Sequence, residues 1–159
     1  MAPVKRAVIL GPGGAGKSTL ARRLGECTGL PVIELDQHFW SAELRPLASD
    51  EWRRRQSELV QAAEWIADGN LGPYDVLEPR LRMADTVIVL DVARWRCVWR
   101  SFRRSRERLV FWKWLWTWRR RSRPRVLAAI AAYADHAVVE TLTSPAAADR
   151  WLKKTVRLR

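Results

Sequence analysis

One stretch constrains this chain more than any other: Gly11-Pro12-Gly13-Gly14-Ala15-Gly16-Lys17-Ser18, followed by Thr19. It spells G-x-x-x-x-G-K-[ST], the pattern of a phosphate-binding loop, which carries meaning only between a strand and a helix. Ala7-Val8-Ile9-Leu10 ahead of it is an apolar run with the length of a buried strand. Behind it, Leu20, Ala21 and Leu24 recur at helical spacing while Arg22 and Arg23 face outward. The chain is therefore expected to pass from strand through glycine turn into helix. Such a turn points successive backbone N–H groups at one phosphate, and the helix N-terminus adds free donors and its positive dipole end. Gly11, Gly13, Gly14, Ala15, Gly16, Lys17, Ser18 and Thr19 are the expected nucleotide-binding residues. Lys17 supplies a cation for the outer phosphates and Ser18 a hydroxyl for Mg²⁺, so ATP and Mg²⁺ are the expected cofactors.

The rest of the chain alternates strands and helices. Gly29 and Pro31 stop the first helix, and Pro31 to Leu35 reads as a second strand ending on Asp36. Ser49 or Asp50 can cap a helix running to about Ala63. Glu64 to Asp68 is a third strand candidate closed by Gly69-Asn70, and Val76 to Met83 a short helix or helical loop. Thr86 to Asp91 is the clearest strand, apolar throughout as expected when both faces are covered. A basic helix is expected from Arg94 to about Arg108, another from Val126 to Ala134, a fifth strand from Ala137 to Leu142, and a last helix capped by Ser144. This order predicts a three-layer α/β fold around a parallel sheet, one domain over residues 1–159.

Composition narrows the functional classes. No apolar run approaches the roughly 18 residues of a membrane span. The start runs directly into the first strand with no room for a signal peptide, so the cytoplasm is the expected location. Cys27 and Cys97 lack metal-ligand spacing and are expected to be small buried residues. The net charge is +12, and between Arg94 and Arg125 thirteen Lys or Arg residues stand against one acid, Glu107. The whole excess thus belongs to one local element, which also holds six of the ten tryptophans.

Phosphoryl transfer is mostly positioning and neutralisation of charge. Asp36 and Asp68 each end a strand and can face the same crevice as Lys17. One would hold Mg²⁺, with Asp68 the stronger candidate beside Ser18, and the other would orient or deprotonate an acceptor hydroxyl. Asp91 also ends a strand and ranks below them. Asp36, Asn70 and Arg80 are the expected acceptor contacts; Arg80 and Arg82 offer forks for a phosphate or carboxylate. His38 and His136 show no partner pattern and are expected to be structural. The sequence does not orient Trp40 and Tyr74.

The basic, Trp-rich segment admits several readings. Arg119, Arg121, Arg123 and Arg125 could close as a lid over the donor phosphates. The segment could instead grip DNA or RNA, with Trp112, Trp114, Trp116 or Trp118 stacking on bases. An interfacial membrane helix is a third reading, weakened by the period of two in those tryptophans. A core flap with an exposed basic face is the fourth, and can coexist with the lid.

The strings G-P-G-G-A-G-K-S-T-L-A-R-R-L, L-D-Q-H-F-W, E-W-I-A-D-G-N, A-D-T-V-I-V-L-D-V-A-R-W-R-C-V-W-R and R-R-S-R-P-R-V-L resemble the small adenylate-kinase-like P-loop proteins of the DNA topology modulation (FlaR) type. The resemblance implies a nucleoside/nucleotide-kinase fold with sheet order 2-3-1-4-5 and a lid, here about residues 103–125, between the fourth and fifth strands. It puts Asp68 in the place of the acid of the adenylate kinase D-G-F-P-R motif, and Arg121 and Arg123 in the lid pair acting on the phosphates. The chain departs from the pattern where Asp68-Gly69-Asn70 lacks the arginine that follows in adenylate kinases, and its lid is shorter and richer in tryptophan. An ATP-dependent kinase of a small acceptor, a nucleoside or nucleotide, is the leading expectation. A P-loop ATPase that binds nucleic acid through its basic segment is the alternative.

Overall fold

Period-two burial along three central strands divides the core in the computed structural model, which describes residues 3–40, 45–92 and 118–157. In β1 (Arg6–Leu10), Ala7 and Ile9 face one apolar cluster while Val8 and Leu10 face the other. In β4 (Thr86–Leu90), Ile88 and Leu90 are set against Val87 and Val89 in the same way. In β3 (Trp65–Asp68), Ile66 opposes Trp65 and Ala67. Strands apolar on both faces need cover on both, and that is the three-layer arrangement.

With β2 (Val32–Glu34) and β5 (Val138–Leu142) the strands form one all-parallel sheet in the order β2-β3-β1-β4-β5. This is the predicted order. Two long helices, α1 (Lys17–Thr28) and the last helix (Pro145–Val156), contribute Leu20, Leu24, Trp151 and Leu152 to one cluster. The other cluster takes Phe39 from α2 (Leu35–Phe39), Trp52 from α3 (Ser49–Leu59), Leu81 from α4 (Glu78–Met83), and Val126 and Ile130 from α5 (Arg123–Tyr133). The last helix is α6, and Ser144 caps it as expected, its Oγ accepting from the Ala147 N–H at 3.1 Å.

Several boundaries differ from expectation. The second strand stops at Glu34, and Leu35 opens a short helix because its side chain packs inward beside Phe39. Ser49 and Asp50 lie inside the first turn of α3, not at its cap, which is Ala48. That helix ends at Leu59, four residues early, where Val60 turns inward and its carbonyl accepts the Trp65 indole N–H at 3.1 Å. The predicted helix near Val126 starts at Arg123, preceded by a π-helical turn over Trp118–Ser122. Cys27 is exposed, contrary to expectation, because it lies at the edge of the Leu20–Leu24 stripe. Cys97, the Arg94–Arg108 helix and Trp112, Trp114 and Trp116 lie outside the described residues.

Candidate active site

The glycine turn sits where strand, loop and helix meet. Gly14 (φ 71°) and Gly16 (φ 97°) both occupy left-handed backbone, and Gly16 is the N-cap of α1. That conformation is cheap only for glycine, and here it turns the chain sharply into the helix. Gly11 serves close approach instead: a Cβ there would stand 2.7 Å from the Leu90 carbonyl oxygen. No acidic residue lies in the first turn of α1, so no side-chain carboxylate there competes for its free N–H groups. Ser18 and Thr19 are exposed at that end. Lys17 folds back on the loop, its Nζ donating to the Pro12 carbonyl at 3.0 Å.

The sheet register brings the acids to the same edge. Asp68 ends β3 beside Ile9 of β1 and Glu34 of β2, and is 5% exposed. Asp36 lies in the first turn of α2 instead of at a strand end. Its carboxyl nevertheless reaches the crevice: Asp36 Oδ1 is 3.9 Å from where a Cβ on Gly69 would stand, next to Asp68. Its pKa is raised above the usual 3.8. The main cause is desolvation by surrounding atoms, although solvent still reaches the side chain; Lys17 opposes the rise, and Asp68, Asp75 and Glu34 add to it. Lys17 and Asp68 therefore both act on the charge of Asp36. A hydroxyl on Ser18 and a carboxylate on Asp68 fit Mg²⁺, which keeps several waters and takes few protein ligands beside phosphate oxygens. No cluster of three or more metal-ligating His, Cys, Asp or Glu side chains occurs among the described residues.

Two expected acceptor contacts are placed differently. Arg80 is 0% exposed, so it faces no crevice. Its Nη1 donates to Asp75 Oδ1 at 2.9 Å and its Nη2 to Asp75 Oδ2 at 2.6 Å, with Gln56 Oε1 2.5 Å from Nη1. A buried guanidinium needs a matching carboxylate, and Asp75 takes the fork that was expected for a ligand. Asn70 is folded onto its own loop, Oδ1 accepting from the Gly72 N–H at 3.0 Å. Arg82 is exposed and pairs with Glu78 at 3.0 Å. Glu78 also accepts from Arg53, and these two guanidinium bonds hold its pKa low.

Sequence reasoning passed over Asp75 and ranked Asp91 below Asp36 and Asp68, without foreseeing its partner. Asp91, just past β4, accepts from Arg123 Nε at 3.0 Å, which ties the first turn of α5 to the crevice edge. Arg123 remains 38% exposed, whereas Arg121 lies exposed in the π-helical turn with no described contact to the crevice. Of the lid segment 103–125, only residues from Trp118 onward are described. His136 is exposed beside Asp135, and His38 is half-buried in α2.

No protein-family model matches the chain. Shikimate kinase of Mycobacterium avium (strain 104) is 35% identical over 105 residues, covering 58% of this chain and 58% of that protein. The chain thus spans less than two thirds of the length of this curated relative. Among solved structures, shikimate kinase from Acinetobacter baumannii in complex with shikimate superposes with a TM-score of 0.63 at 19% identity, over 98% of this chain and 92% of the other. A sugar kinase from Janibacter sp. HTCC2649 gives 0.62 at 19% identity, over 98% and 94%. The fold is that of the P-loop kinases. These likenesses support a P-loop kinase-like protein and do not extend to the topology-modulation family.

Proposed function

We propose that the protein is an ATP- and Mg²⁺-dependent kinase that transfers the γ-phosphoryl group to a hydroxyl of a small acceptor. One observation carries this reading: Asp36 reaches the Gly69 position next to Asp68, at the sheet edge where the glycine turn follows β1, and feels the charges of Lys17 and Asp68. The loop N–H groups and the end of α1 hold the donor phosphates, and Lys17 leaves Pro12 for the β- and γ-oxygens. Ser18 and Asp68 would hold Mg²⁺, whose chemistry there would be neutralisation of charge on the phosphate oxygens. Asp36 receives the proton of the acceptor hydroxyl as that oxygen bonds to phosphorus and ADP departs. Its raised pKa suits a base, since a more basic carboxylate takes the proton more readily. Arg123, with Arg121 as the resemblance implied, closes on the transferring group.

The names of the relatives, shikimate kinase and sugar kinase, support a small hydroxylated acceptor over nucleic acid. A nucleoside or nucleotide remains within this reading as the acceptor implied by the adenylate-kinase-like resemblance. The nucleic-acid alternative rests on residues 94–125, most of which lie outside the described residues, and no observation favours it.

Coupled ADP release, with product mass determined, tests the reading across nucleosides, nucleotides and cyclic polyols. A phosphorylated acceptor formed at a rate well above background ATP hydrolysis is the expected result. ATP turnover stimulated only by DNA or RNA, with free phosphate as product, would overturn it.

A further inference from the structure

Trp151 of α6 is 6% exposed, and its indole Nε1 is buried without a hydrogen-bond partner among the described residues. A buried indole N–H ordinarily finds an acceptor, as Trp65 does on the Val60 carbonyl at 3.1 Å. Trp151 instead lines a cavity of about 30 Å³, together with Val4, Asp85, Thr86, Val138 and Glu140. Thr86 and Val138 open β4 and β5, so the cavity lies at the amino edge of the sheet. The glycine turn and the proposed kinase site are at the opposite edge.

The frame of this cavity is fixed around Asp85. Its Oδ2 accepts the Arg6 N–H at 2.8 Å and the Lys5 N–H at 3.1 Å, and its Oδ1 accepts the Thr86 hydroxyl at 2.8 Å. Its own N–H donates to the Arg6 carbonyl at 3.0 Å, and its carbonyl accepts from the Val138 N–H at 2.8 Å. One residue thus ties together the starts of β1, β4 and β5. Glu140 stands on the α6 side of the edge strand. It alternates with Leu142, which belongs to the same apolar cluster as Trp151. The Glu140 carboxylate takes part in none of the described hydrogen bonds or ion pairs, so it keeps its acceptor capacity.

These groups select a ligand by their hydrogen-bonding roles. An indole N–H only donates, and an ionised carboxylate only accepts. A ligand that bridges the two must accept one hydrogen bond and donate at least one. A metal or ammonium cation cannot accept from the indole, and an anion would meet two carboxylates. Size narrows the choice further. A water needs roughly 10–15 Å³ of such space, so a cavity of about 30 Å³ admits water and excludes a metabolite.

We infer that this cavity is a water-binding site, in which a bound water accepts from Trp151 Nε1 and donates to the Glu140 carboxylate. The water links α6 to the edge strand β5. Asp85 Oδ1 holds the Thr86 hydroxyl and only a long 3.5 Å contact to the Lys5 N–H, so it can take the second hydrogen. The site is independent of the kinase reading, because none of its residues belongs to the proposed catalytic set.

Two readouts use the unaltered chain. A high-resolution crystal structure is expected to show a water oxygen within hydrogen-bond distance of both Trp151 Nε1 and a Glu140 carboxylate oxygen. In solution, the Trp151 indole proton is expected to give a nuclear Overhauser cross-peak to water with the sign of a long-lived bound molecule. An empty cavity, a metal ion or larger molecule in it, or a direct indole–carboxylate bond overturns the inference. So does a missing cross-peak, or one with the sign of bulk water. A double-mutant cycle supplies the energetic check. Glu140→Leu takes away the acceptor of the water, and Trp151→Phe takes away the N–H that needs it. In urea denaturation their effects on the unfolding constant are expected to be non-additive by about five-fold, because without the indole N–H nothing is left unpaired. Strict additivity would remove the bridge.

Discussion

The two halves of the crevice are built from different materials. On the proposed donor side the binding groups would be backbone N–H donors, set by left-handed glycines and the end of α1. On the proposed acceptor side they would be side chains brought from α2 and the end of β3. A backbone site is a local property of consecutive residues. A side-chain site depends on register and packing between segments distant along the chain. The two halves should therefore fail differently when altered, and substitutions on either side test that difference.

The largest effect is expected on the donor side. Lys17→Ala removes the mobile cation from the γ-phosphate, and loss of one such electrostatic group costs about 10²–10³ in kcat. ATP affinity should fall as well, because Lys17 meets ground-state phosphates too. Coupled ADP release and nucleotide binding by calorimetry check both, and near-normal turnover would remove the mechanism's central cation. On the acceptor side the comparable loss is in folding. Arg80→Leu leaves the Asp75 carboxylate buried without its fork, an omission that costs about 3–5 kcal/mol. The paired change Arg80→Leu with Asp75→Leu should recover part of it in urea denaturation. If Arg80→Leu alone is neutral, the acceptor wall does not depend on this pair.

These differences track what could be read from the chain beforehand. The donor loop was legible residue by residue, because glycines, lysine and helix start are contiguous. The five strands were legible from their apolar runs, while the order 2-3-1-4-5 came with the family resemblance. Asp68 was legible because it follows a buried run and is closed by Gly69. Arg80 was not: its spacing suggests a ligand-binding fork as readily as a buried pair, and only packing brings Asp75 and Gln56 around it. The Asp91–Arg123 bond joins residues 32 apart in sequence, and no local pattern announces it.

A smaller effect, and one that joins the two halves, is expected at Asp36. Asp36→Asn should lower kcat by about 10²-fold, the lower end for a positioned base, with ATP KM nearly unchanged. The same change should slightly raise the thermal midpoint of the unliganded protein. The folded-state pKa of Asp36 lies above the usual 3.8, so its protonated form is the one folding favours. That contribution is complete below 3.8 and is lost as pH rises through the raised value, leaving an ionised Asp36 as a cost at neutral pH. Carboxyl NMR titration separates the causes: Lys17→Ala should push the Asp36 pKa higher, and Asp68→Asn should let it fall. Absence of both shifts would mean that donor and acceptor halves do not share a field.

The smallest effect is expected at the Asp91–Arg123 pair, which ties the first turn of α5 to the end of β4. Arg123 is more than a third exposed and makes one hydrogen bond to Asp91, so in the resting protein the pair is a screened surface contact. Such pairs contribute about 0–1 kcal/mol, and Arg123→Ala should barely move the urea midpoint. Its effect on turnover should be larger than on stability, about ten-fold or more, if the guanidinium leaves Asp91 to meet the transferring phosphoryl group. Asp91→Asn distinguishes the two roles, because it frees Arg123 without removing it. Turnover that holds or rises in Asp91→Asn while falling in Arg123→Ala makes the resting bond a competitor of the catalytic one. Equal losses in both would make the bond itself the functional element, a strut that positions α5 over the crevice.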